Sequence, residues 1–292
     1  MTRYLHPPHH DVVDVVRRAL IEDLTPLGDV TATLLPADVT ATAQFVARDA
    51  GVIAGTACAT ETFTQIDPNI IFTWHIEEGT LVDPMTAIAS VEGSLESILI
   101  AERPALNFLM YLSGIASNTR RYVDAATGGA EIWDTRKTTP GLRSLEKAAV
   151  RAGGARNHRG NLSDWIMLKD NHLMGTSIAD GVARARDRWP GRTVHVEADR
   201  LDQVDRAIAA GADAILLDNM DPDQLRAAVA RVAELVGDGR RPLLEASGGI
   251  DLDTVGAVSE TGVDMISTSK LSFGAPTLDI GLDIATNPGN AL

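Results

Sequence analysis

Cysteine and long apolar runs are scarce in this chain. Cys58 is the only cysteine, so no disulfide can form within the chain, and a cytoplasmic location is expected. Nowhere do about 18 apolar residues follow one another, so we expect no membrane span. The first residues, MTRYLHPPHHDVV, contain no apolar core, so we expect no signal peptide.

Positive charge is also in short supply. Lys and Arg together number 26 against 40 Asp and Glu, which gives a formal net charge of −14. Nucleic acid binding requires a broad basic face, so we expect no nucleic acid partner. The basic residues concentrate instead in residues 134–172. A basic segment in an acidic chain indicates a local site for a small anionic ligand.

The first part of the chain mixes helical and strand periodicity. Apolar residues within Asp11–Leu24 recur at the spacing of an amphipathic helix. The segments Thr40–Arg48, Ile70–Ile76 and Ala87–Val91 have the pattern of strands. A long helical pattern then runs from about Ser94, the expected N-cap, to Ala125.

From about residue 131 onward, short strand-like runs alternate with helical stretches. The runs are Glu131–Trp133, Ile166–Leu168, Val194–Val196, Ala214–Leu217, Leu243–Glu245 and Met265–Ile266. This alternation is typical of parallel strands joined by helices, and the units are fewer than a closed eight-unit barrel requires. We therefore predict an α/β fold with an incomplete or open α/β barrel in this part of the chain.

Polar residues follow these apolar runs directly. Arg136 and Lys137 follow the first run, Lys169 the second, Glu197 the third and Asp218 the fourth. A Ser-Gly-Gly sequence, residues 247–249, follows the fifth. Because ligands bind at the carboxyl ends of parallel strands, these side chains are expected to converge on one site.

The cationic residues of the expected site suit an anion. Arginine binds a carboxylate through two parallel hydrogen bonds, whereas lysine acts as a point charge. Arg136, Lys137 and Lys169 are assigned to the site by their position after strands, and His158 and Arg159 lie in the same basic segment. Lys147 and Arg151 follow helical spacing, so we interpret them as a solvated helix face.

The acidic and glycine-rich residues allow more than one interpretation. Glu197 and Asp218 could hold Mg²⁺, bind ribose hydroxyls or stabilise developing positive charge, or they could simply pair with the basic residues. Gly248 and Gly249 would let backbone N–H groups approach a phosphate, helped by a helix beginning near Asp251, or they could form an ordinary turn.

Two other features carry little functional weight. His6, His9 and His10 lack a partner motif for metal binding, so we expect them to be solvated. Cys58 is expected to be a small buried residue of a helix.

Taken in order, several long motifs resemble the quinolinate phosphoribosyltransferase family. They are AERPALNFLMYLSGIAS at 101–117, DTRKTTPGLR at 134–143, EKAAVRAGGARNHRGNLSD at 146–164, MLKDNH at 167–172, GADAILLDNM at 211–220 and EASGGI at 245–250. The resemblance extends over nearly the whole chain. It implies an N-terminal α/β domain, residues 1–115, followed by an open α/β barrel, residues 116–271, that carries the active site. Residues 272–292 are expected to pack back on the first domain.

The resemblance implies an enzyme of NAD biosynthesis, a decarboxylating glycosyltransferase that works as a homodimer. The family joins quinolinate to phosphoribosyl pyrophosphate with Mg²⁺ and releases nicotinate mononucleotide, pyrophosphate and CO₂. By motif, Arg136, His158 and Arg159 look like ligands of the quinolinate carboxylates, and Lys137 and Lys169 look like residues near the reacting centre and the pyrophosphate.

The remaining roles also follow from the resemblance. Glu197 and Asp218 look like the ribose and Mg²⁺ side of the site, with the metal contact direct or indirect. Ser247, Gly248 and Gly249 look like the cradle of the 5-phosphate. Arg103 resembles an arginine that reaches the active site of the neighbouring subunit.

The sequence departs from the family pattern in two places. Ser269 stands where the family usually has glycine, and Leu271–Gly274 replaces a Leu-Thr-His-Ser sequence. Pro104 follows Arg103, where another residue is more common; proline is tolerated in the first turn of a helix.

Three alternative functions remain open at this point. One is a paralogous pyrophosphorylase with a different acceptor. Another is an aldolase-type barrel that forms a Schiff base at Lys137 or Lys169. The third, which is not an enzyme, is a sensor that binds a phosphate ligand without turnover.

Overall fold

The computed structural model describes residues 5–36, 38–237 and 239–286. In chain order, the helices are α1 His9–Leu24, α2 Thr56–Ile66, α3 Leu95–Ala125, α4 Arg143–Ala152, α5 Ile178–Arg188, α6 Leu201–Ala209, α7 Pro222–Val236 and α8 Val255–Ser259. The strands are β1 Thr40–Ala47, β2 Gly51–Val52, β3 Ile71–Trp74, β4 Leu81–Val82, β5 Thr86–Ser94, β6 Glu131–Trp133, β7 Ile166–Leu168, β8 Val194–Ala198, β9 Ala214–Asp218, β10 Leu243–Ser247, β11 Met265–Ser267 and β12 Ile280–Thr286.

The chain divides into two compact units. The first contains the residues up to 120, residues 138–154 and those from 274 onward; the second contains residues 121–137 and 155–273. These units differ from the expected domain ranges chiefly in residues 138–154, which belong to the first unit. Of the C-terminal segment that was expected to pack on the first domain, residues 287–292 lie outside the described residues.

An antiparallel sheet with the strand order β12-β1-β5-β3 forms the centre of the first unit. Small residues and Phe45 alternate along β1, so one face of this strand packs into the core. Phe63 of α2 meets Phe45 edge-on at 6.0 Å between ring centroids, and Ile98 and Leu109 of α3 are fully buried in the same core. Long-range pairing of β12 with β1 completes the sheet.

Helix α4 is buried where a solvated face was expected. Lys147 is only 7% exposed and Glu146 is fully buried, so the interpretation of Lys147 as a solvated residue is wrong. Glu146 accepts hydrogen bonds from the Tyr111 hydroxyl at 2.7 Å and from the Thr139 amide at 2.9 Å. These bonds fix the loop before α4, and the helix therefore packs as an internal element of the first unit.

Six parallel strands form the sheet of the second unit, in the order β6-β11-β10-β9-β8-β7. They coincide with the six strand-like runs of the sequence to within two residues at each end. Strands β6 and β7 stand at opposite edges of this order, so the described strands form an open α/β barrel. The prediction of an α/β fold with an open barrel is confirmed.

Within the described residues, no helix is both long enough and apolar enough to cross a membrane.

Candidate active site

The strand register brings the predicted site residues to one face of the parallel sheet. Glu197 of β8 is level with Leu216 of β9, and Asp218 lies two residues further along the same strand. Asp218 is level with Ser247 of β10. Because alternate residues of a strand share a face, Glu197, Asp218 and Ser247 project from the same face at the carboxyl ends of the strands.

Lys169 joins this group through an ion pair. Its ammonium group contacts the Glu197 carboxylate, and Glu197 is largely buried with a side-chain exposure of 13%. The short 3₁₀ turn after β7 positions the lysine, since the His172 ring nitrogen Nδ1 accepts a hydrogen bond from the Lys169 amide at 3.2 Å. The structure therefore brings together the lysine of one strand end and the glutamate of the next.

A buried aspartate at the end of β6 holds the segment that carries His158. Asp134 accepts hydrogen bonds from the His158 amide at 2.7 Å and from the Asn157 side chain at 2.9 Å. Asp134 is only 2% exposed. Sequence reasoning missed this supporting role, although a polar residue directly after an apolar strand was the available signal.

The two arginines of the expected acceptor pocket lie close enough to influence each other. Burial, and then the nearby Arg136 guanidinium, lower the pKa of Arg159. Arg159 is 9% exposed and contacts the sulfur of Met167 at 3.7 Å. Lys137 is exposed beside Arg136, with its amide bonded to the Thr135 hydroxyl at 3.0 Å. Neighbouring buried cations repel one another, so an anion bound here relieves that repulsion.

A cluster of aromatic and ionisable side chains lies behind this pocket. Glu245 is fully buried, and its carboxylate lies 3.3 Å from Nε2 of His158 and 3.9 Å from Nδ1 of His195. Trp165 stacks on His195 at 5.0 Å and meets the His158 ring edge-on at 4.6 Å. Burial alone would raise the pKa of Glu245, but the hydrogen bond and charge of His158, the Ser267 hydroxyl and His195 lower it.

Among the described residues, one group has a geometry that could hold a metal. One ligand atom from each of His158, His195 and Glu245 lies within 4.8 Å of the others. The nearby guanidinium group of Arg159 makes this a poor place for a further cation, and His158 already contacts one oxygen of the Glu245 carboxylate. The carboxylates of Glu197 and Asp218 have the oxygen donors that suit Mg²⁺ better.

Acid should destabilise the protein through His195. Burial lowers the pKa of this imidazole from 6.5 to about 4, against the opposing charge of Glu245. The unfolded chain therefore binds the proton first as the pH falls from 6.5 towards 4, so stability is lost across that window. At pH 4.5 the loss should be about 2–3 kcal/mol.

The control for this prediction is His195→Phe, which keeps an aromatic ring against Trp165 and removes the titrating group. Urea unfolding at pH 7 and pH 4.5, followed through tryptophan fluorescence, should show a smaller pH dependence in the variant than in the native chain. Equal pH dependence in the two proteins would show that His195 is not the responsible group.

The glycines after β10 adopt conformations that only glycine tolerates well. Gly248 and Gly249 have φ angles of +97° and +65°. A side chain on Gly248 would approach the Asn219 carboxamide oxygen to 2.3 Å and its backbone nitrogen to 2.8 Å, whereas a side chain on Gly249 would enter open space. Asn219 itself has a φ of +56° and donates a hydrogen bond to Asp218 at 2.7 Å. Asn219 therefore links the acidic residue to the glycine turn, a connection that sequence reasoning missed.

One expectation for this turn is wrong. The helix expected near Asp251 begins only at Val255 and has five residues. Asp251 instead accepts hydrogen bonds from Thr254 and closes a turn. The backbone N–H groups of the glycine turn, rather than a helix end beginning at Asp251, are the anion donors that this segment can offer.

The Gly248→Ala substitution should destabilise the protein more than Gly249→Ala. Both force alanine into the left-handed region, at a cost of about 1–3 kcal/mol each, and only the first also displaces Asn219. Thermal unfolding of the two variants tests this difference. If Gly249→Ala proved the more destabilising of the two, the packing of Asn219 against Gly248 would not be the controlling contact.

The residues after β11 that depart from the family pattern form a short turn, which is connected to the region of the glycine turn. Ser269–Leu271 is a 3₁₀ turn, and the Thr268 hydroxyl before it donates to the Ile250 carbonyl at 2.8 Å. Thr268, which directly precedes the departing residues, therefore supports the end of the glycine turn from the neighbouring strand.

Arg103 lies in the first unit, on the exposed side of α3. It lines a cavity of about 630 Å³ together with Arg18, Asn107, Tyr111 and other residues of that unit. Pro104 stands well inside α3, which begins at Leu95, so the explanation that this proline occupies the first turn is wrong.

Comparison with known proteins assigns both parts of the chain. Residues 29–113 match the model of the quinolinate phosphoribosyl transferase N-terminal domain, and residues 115–283 match that of the C-terminal domain. The chain belongs to the quinolinate phosphoribosyltransferase family. The resemblance read from the sequence motifs is thereby confirmed.

Relatives of the family are similar over most of their length. The chain is 43% identical over 250 residues to a probable nicotinate-nucleotide pyrophosphorylase [carboxylating] of Synechocystis, covering 84% of this chain and 83% of the relative. It is 39% identical over 280 residues to the nicotinate-nucleotide pyrophosphorylase [carboxylating] of Mycobacterium leprae, covering 93% and 96%. The solved structure of the nicotinate-nucleotide pyrophosphorylase from Francisella tularensis has a TM-score of 0.90 at 36% identity, with 95% of this chain and 97% of that chain covered.

Proposed function

We propose that this protein transfers the phosphoribosyl group of phosphoribosyl pyrophosphate to quinolinate and releases nicotinate mononucleotide, pyrophosphate and CO₂, as a step of NAD biosynthesis. The main support for this assignment is that the models of both family domains match this one chain. The ends of its strands also have the expected cationic and acidic residues. The relatives named as carboxylating pyrophosphorylases support the same reaction.

Arg136, His158 and Arg159 are the proposed ligands of the acceptor. Quinolinate carries two adjacent carboxylates, and a pocket in which two guanidinium groups lie close together offers the matching charge. His158 is placed beside them because Asp134 holds its amide. The pocket therefore suits a dianion better than an acceptor with one carboxylate.

The donor side of the site is formed by the other strand ends. Ser247, Gly248 and Gly249 would bind the 5-phosphate through backbone N–H groups, since the glycine backbone can approach an oxyanion closely. Glu197 and Asp218 would bind the ribose hydroxyls and stabilise the positive charge that develops on the ribose as pyrophosphate leaves.

The two lysines have a different task. Lys137 and Lys169 would neutralise the pyrophosphate oxygens while the carbon–oxygen bond of the donor breaks. Lys169 contacts the Glu197 carboxylate, and this contact suits a lysine that acts through its charge.

Magnesium fits the acidic residues of the site. Glu197 and Asp218 provide hard oxygen donors on one face of the sheet, and Mg²⁺ in such sites takes one or two carboxylates together with substrate oxygens and water. When bound, the ion would neutralise charge on the departing pyrophosphate. Asp218 is oriented for this by the hydrogen bond from Asn219.

Loss of CO₂ follows from the chemistry of the acceptor. Once the ring nitrogen carries the ribose it is positively charged, and this charge stabilises the electron pair that the departing carboxylate leaves on C2. A proton then takes the place of the carboxylate on carbon. The residues of the chain need only hold the ring in place during this step.

The test is incubation of the purified protein with quinolinate, phosphoribosyl pyrophosphate and Mg²⁺, with nicotinate mononucleotide followed by chromatography. Nicotinate, which lacks one carboxylate, should be a poor substrate. Efficient use of nicotinate would assign the chain to a pyrophosphorylase with another acceptor, and ligand binding without product would indicate a sensor. Trapping of a carbonyl substrate by borohydride would indicate an aldolase.

Arg103 is part of the same assignment and would complete the active site of a neighbouring subunit in a homodimer. The exposed position of this arginine on α3 supports such a contact. Mixing the inactive variants Arg103→Ala and Lys137→Ala should then restore about a quarter of the activity, because half of the dimers are mixed and each has one complete site.

A verified mixed dimer without activity would place Arg103 in its own subunit's chemistry or outside the chemistry altogether. The separate variants, each reassembled alone, are the matched controls and should stay inactive.

The cytoplasmic location remains a prediction from the single cysteine. The structure places this cysteine, Cys58, in α2, where it is buried as expected.

A further inference from the structure

Glu245 is a buried carboxylate that the proposed chemistry does not use. It lies in β10, directly before the residues of the glycine turn, and none of its surface is exposed. Transfer of an isolated carboxylate into the interior is costly unless hydrogen bonds and an opposite charge compensate it. Glu245 is buried at this cost and lies within reach of His158, a proposed ligand of the substrate, which suggests a functional role.

The partners of Glu245 come from neighbouring parts of the second unit. His158 is in hydrogen-bond contact with one carboxylate oxygen at 3.3 Å, and Ser267 of β11 lies near enough to lower the pKa of the carboxylate. His195 of β8 lies at 3.9 Å, and its Nδ1 is buried without a hydrogen-bond partner. The charge of Arg159 acts on Glu245 as well. Of these groups, His158 and Arg159 belong to the proposed acceptor pocket, and His158 is the one of the two in hydrogen-bond contact with Glu245.

The contact determines where His158 carries hydrogen. An ionised carboxylate can only accept hydrogen bonds, so the hydrogen between the two groups must reside on Nε2 of the imidazole. Glu245 thereby selects among the forms of the ring, and the edge-on contact with Trp165 restricts how the ring can rotate. Asp134 holds the backbone of the same residue from the other side.

We propose that Glu245 is a positioning residue for the acceptor: it holds Nε2–H of His158 and so fixes the orientation of the ring that binds a quinolinate carboxylate. This role rests on the proposed function, because it concerns the same pocket. It predicts that neutralising Glu245 weakens acceptor binding and leaves donor binding alone.

The first measurement is nitrogen NMR of the apoprotein labelled at its seven histidines, with His158 assigned through the His158→Gln variant. Nε2 of His158 should carry hydrogen at neutral pH, and Glu245→Gln should allow the other tautomer because a carboxamide can both donate and accept. A native protein in which Nε2 of His158 carries no hydrogen would overturn the proposal. This measurement needs no substrate. The spectrum of the native protein is also informative whether or not the Glu245→Gln variant folds.

The second measurement is calorimetric binding of quinolinate and steady-state kinetics. Glu245→Gln should weaken quinolinate binding by about 10-fold or more, the effect of a lost charged hydrogen bond, and should raise KM for quinolinate while KM for phosphoribosyl pyrophosphate stays unchanged. Glu245→Asp, which keeps the charge, should recover part of the affinity. An unchanged quinolinate affinity in Glu245→Gln, or an equal loss for both substrates, would overturn the positioning role.

Asp264→Asn is the matched control. Asp264 accepts a hydrogen bond from the Leu244 amide at 2.7 Å, beside the opposite end of β10, and asparagine can keep that bond. This variant should leave the tautomer of His158 and the quinolinate affinity unchanged; an effect equal to that of Glu245→Gln would refute a specific role for Glu245. If the native protein bound no quinolinate at all, the proposed function would fail while the NMR result would still decide the contact of Glu245 with His158.

Discussion

Replacing Lys169 by methionine is expected to lower kcat by about 10²–10³-fold, the usual cost of removing one charged group that stabilises a transition state. Lys169 pairs with Glu197 at the carboxyl ends of β7 and β8, where the departing pyrophosphate is proposed to lie. Methionine keeps the length of the side chain and removes the charge. Steady-state kinetics with saturating quinolinate and phosphoribosyl pyrophosphate measures the effect.

A double-mutant cycle separates catalysis from the ion pair. If Lys169 and Glu197 act as a unit, Lys169→Met combined with Glu197→Gln should lose less than the product of the two single effects. Arg206→Met removes a positive charge from the exposed surface of α6 in the same unit and is the control. A normal kcat in Lys169→Met with only KM raised would contradict the role of this lysine in the chemical step.

Replacing Arg159 by alanine is expected to raise KM for quinolinate by about 10- to 150-fold, because a carboxylate of the bound acceptor loses a charged hydrogen bond worth about 1.5–3 kcal/mol. Arg159 is buried next to Arg136, so little solvent is available to take over its role. Kinetics at varied quinolinate, with phosphoribosyl pyrophosphate saturating, measures the change.

The exposed Arg206 of α6 offers the comparison. It pairs with Asp202 one helical turn away on the exposed surface of α6 and is not among the proposed ligands, so Arg206→Ala should leave both KM values unchanged. A larger effect of Arg159→Ala on phosphoribosyl pyrophosphate than on quinolinate would move this arginine to the donor side of the site.

The strands of the second unit were predictable because their signal is local. Each apolar run is short and followed by polar residues, as in the buried run Val194–Val196, and the parallel order follows from the helices between the runs. The pairing of β12 with β1 has no local signal, since it joins residues more than two hundred positions apart. The burial of Lys147 was missed for a similar reason: helical spacing does not reveal which faces other elements will cover.

The residues of the candidate site divide in the same way, into those with a local signal in the sequence and those that depend on long-range contacts. Lys169, Glu197 and Asp218 were found because parallel strands end at one edge of the sheet, a rule that depends only on sequence order. Asp134, Asn219 and His195 act through contacts that only the folded chain creates. Glu245 was noticed as part of the glycine motif, but its contact with His158 joins residues 87 positions apart in the sequence.

The central claim is that one active site couples phosphoribosyl transfer to decarboxylation of quinolinate. Quinolinate labelled in its C2 carboxylate, incubated with the protein, phosphoribosyl pyrophosphate and Mg²⁺, tests it most directly. The predicted result is release of labelled CO₂ and pyrophosphate in equal amounts, matched by nicotinate mononucleotide. Release of pyrophosphate without labelled CO₂, or the same release when quinolinate is omitted, would contradict it.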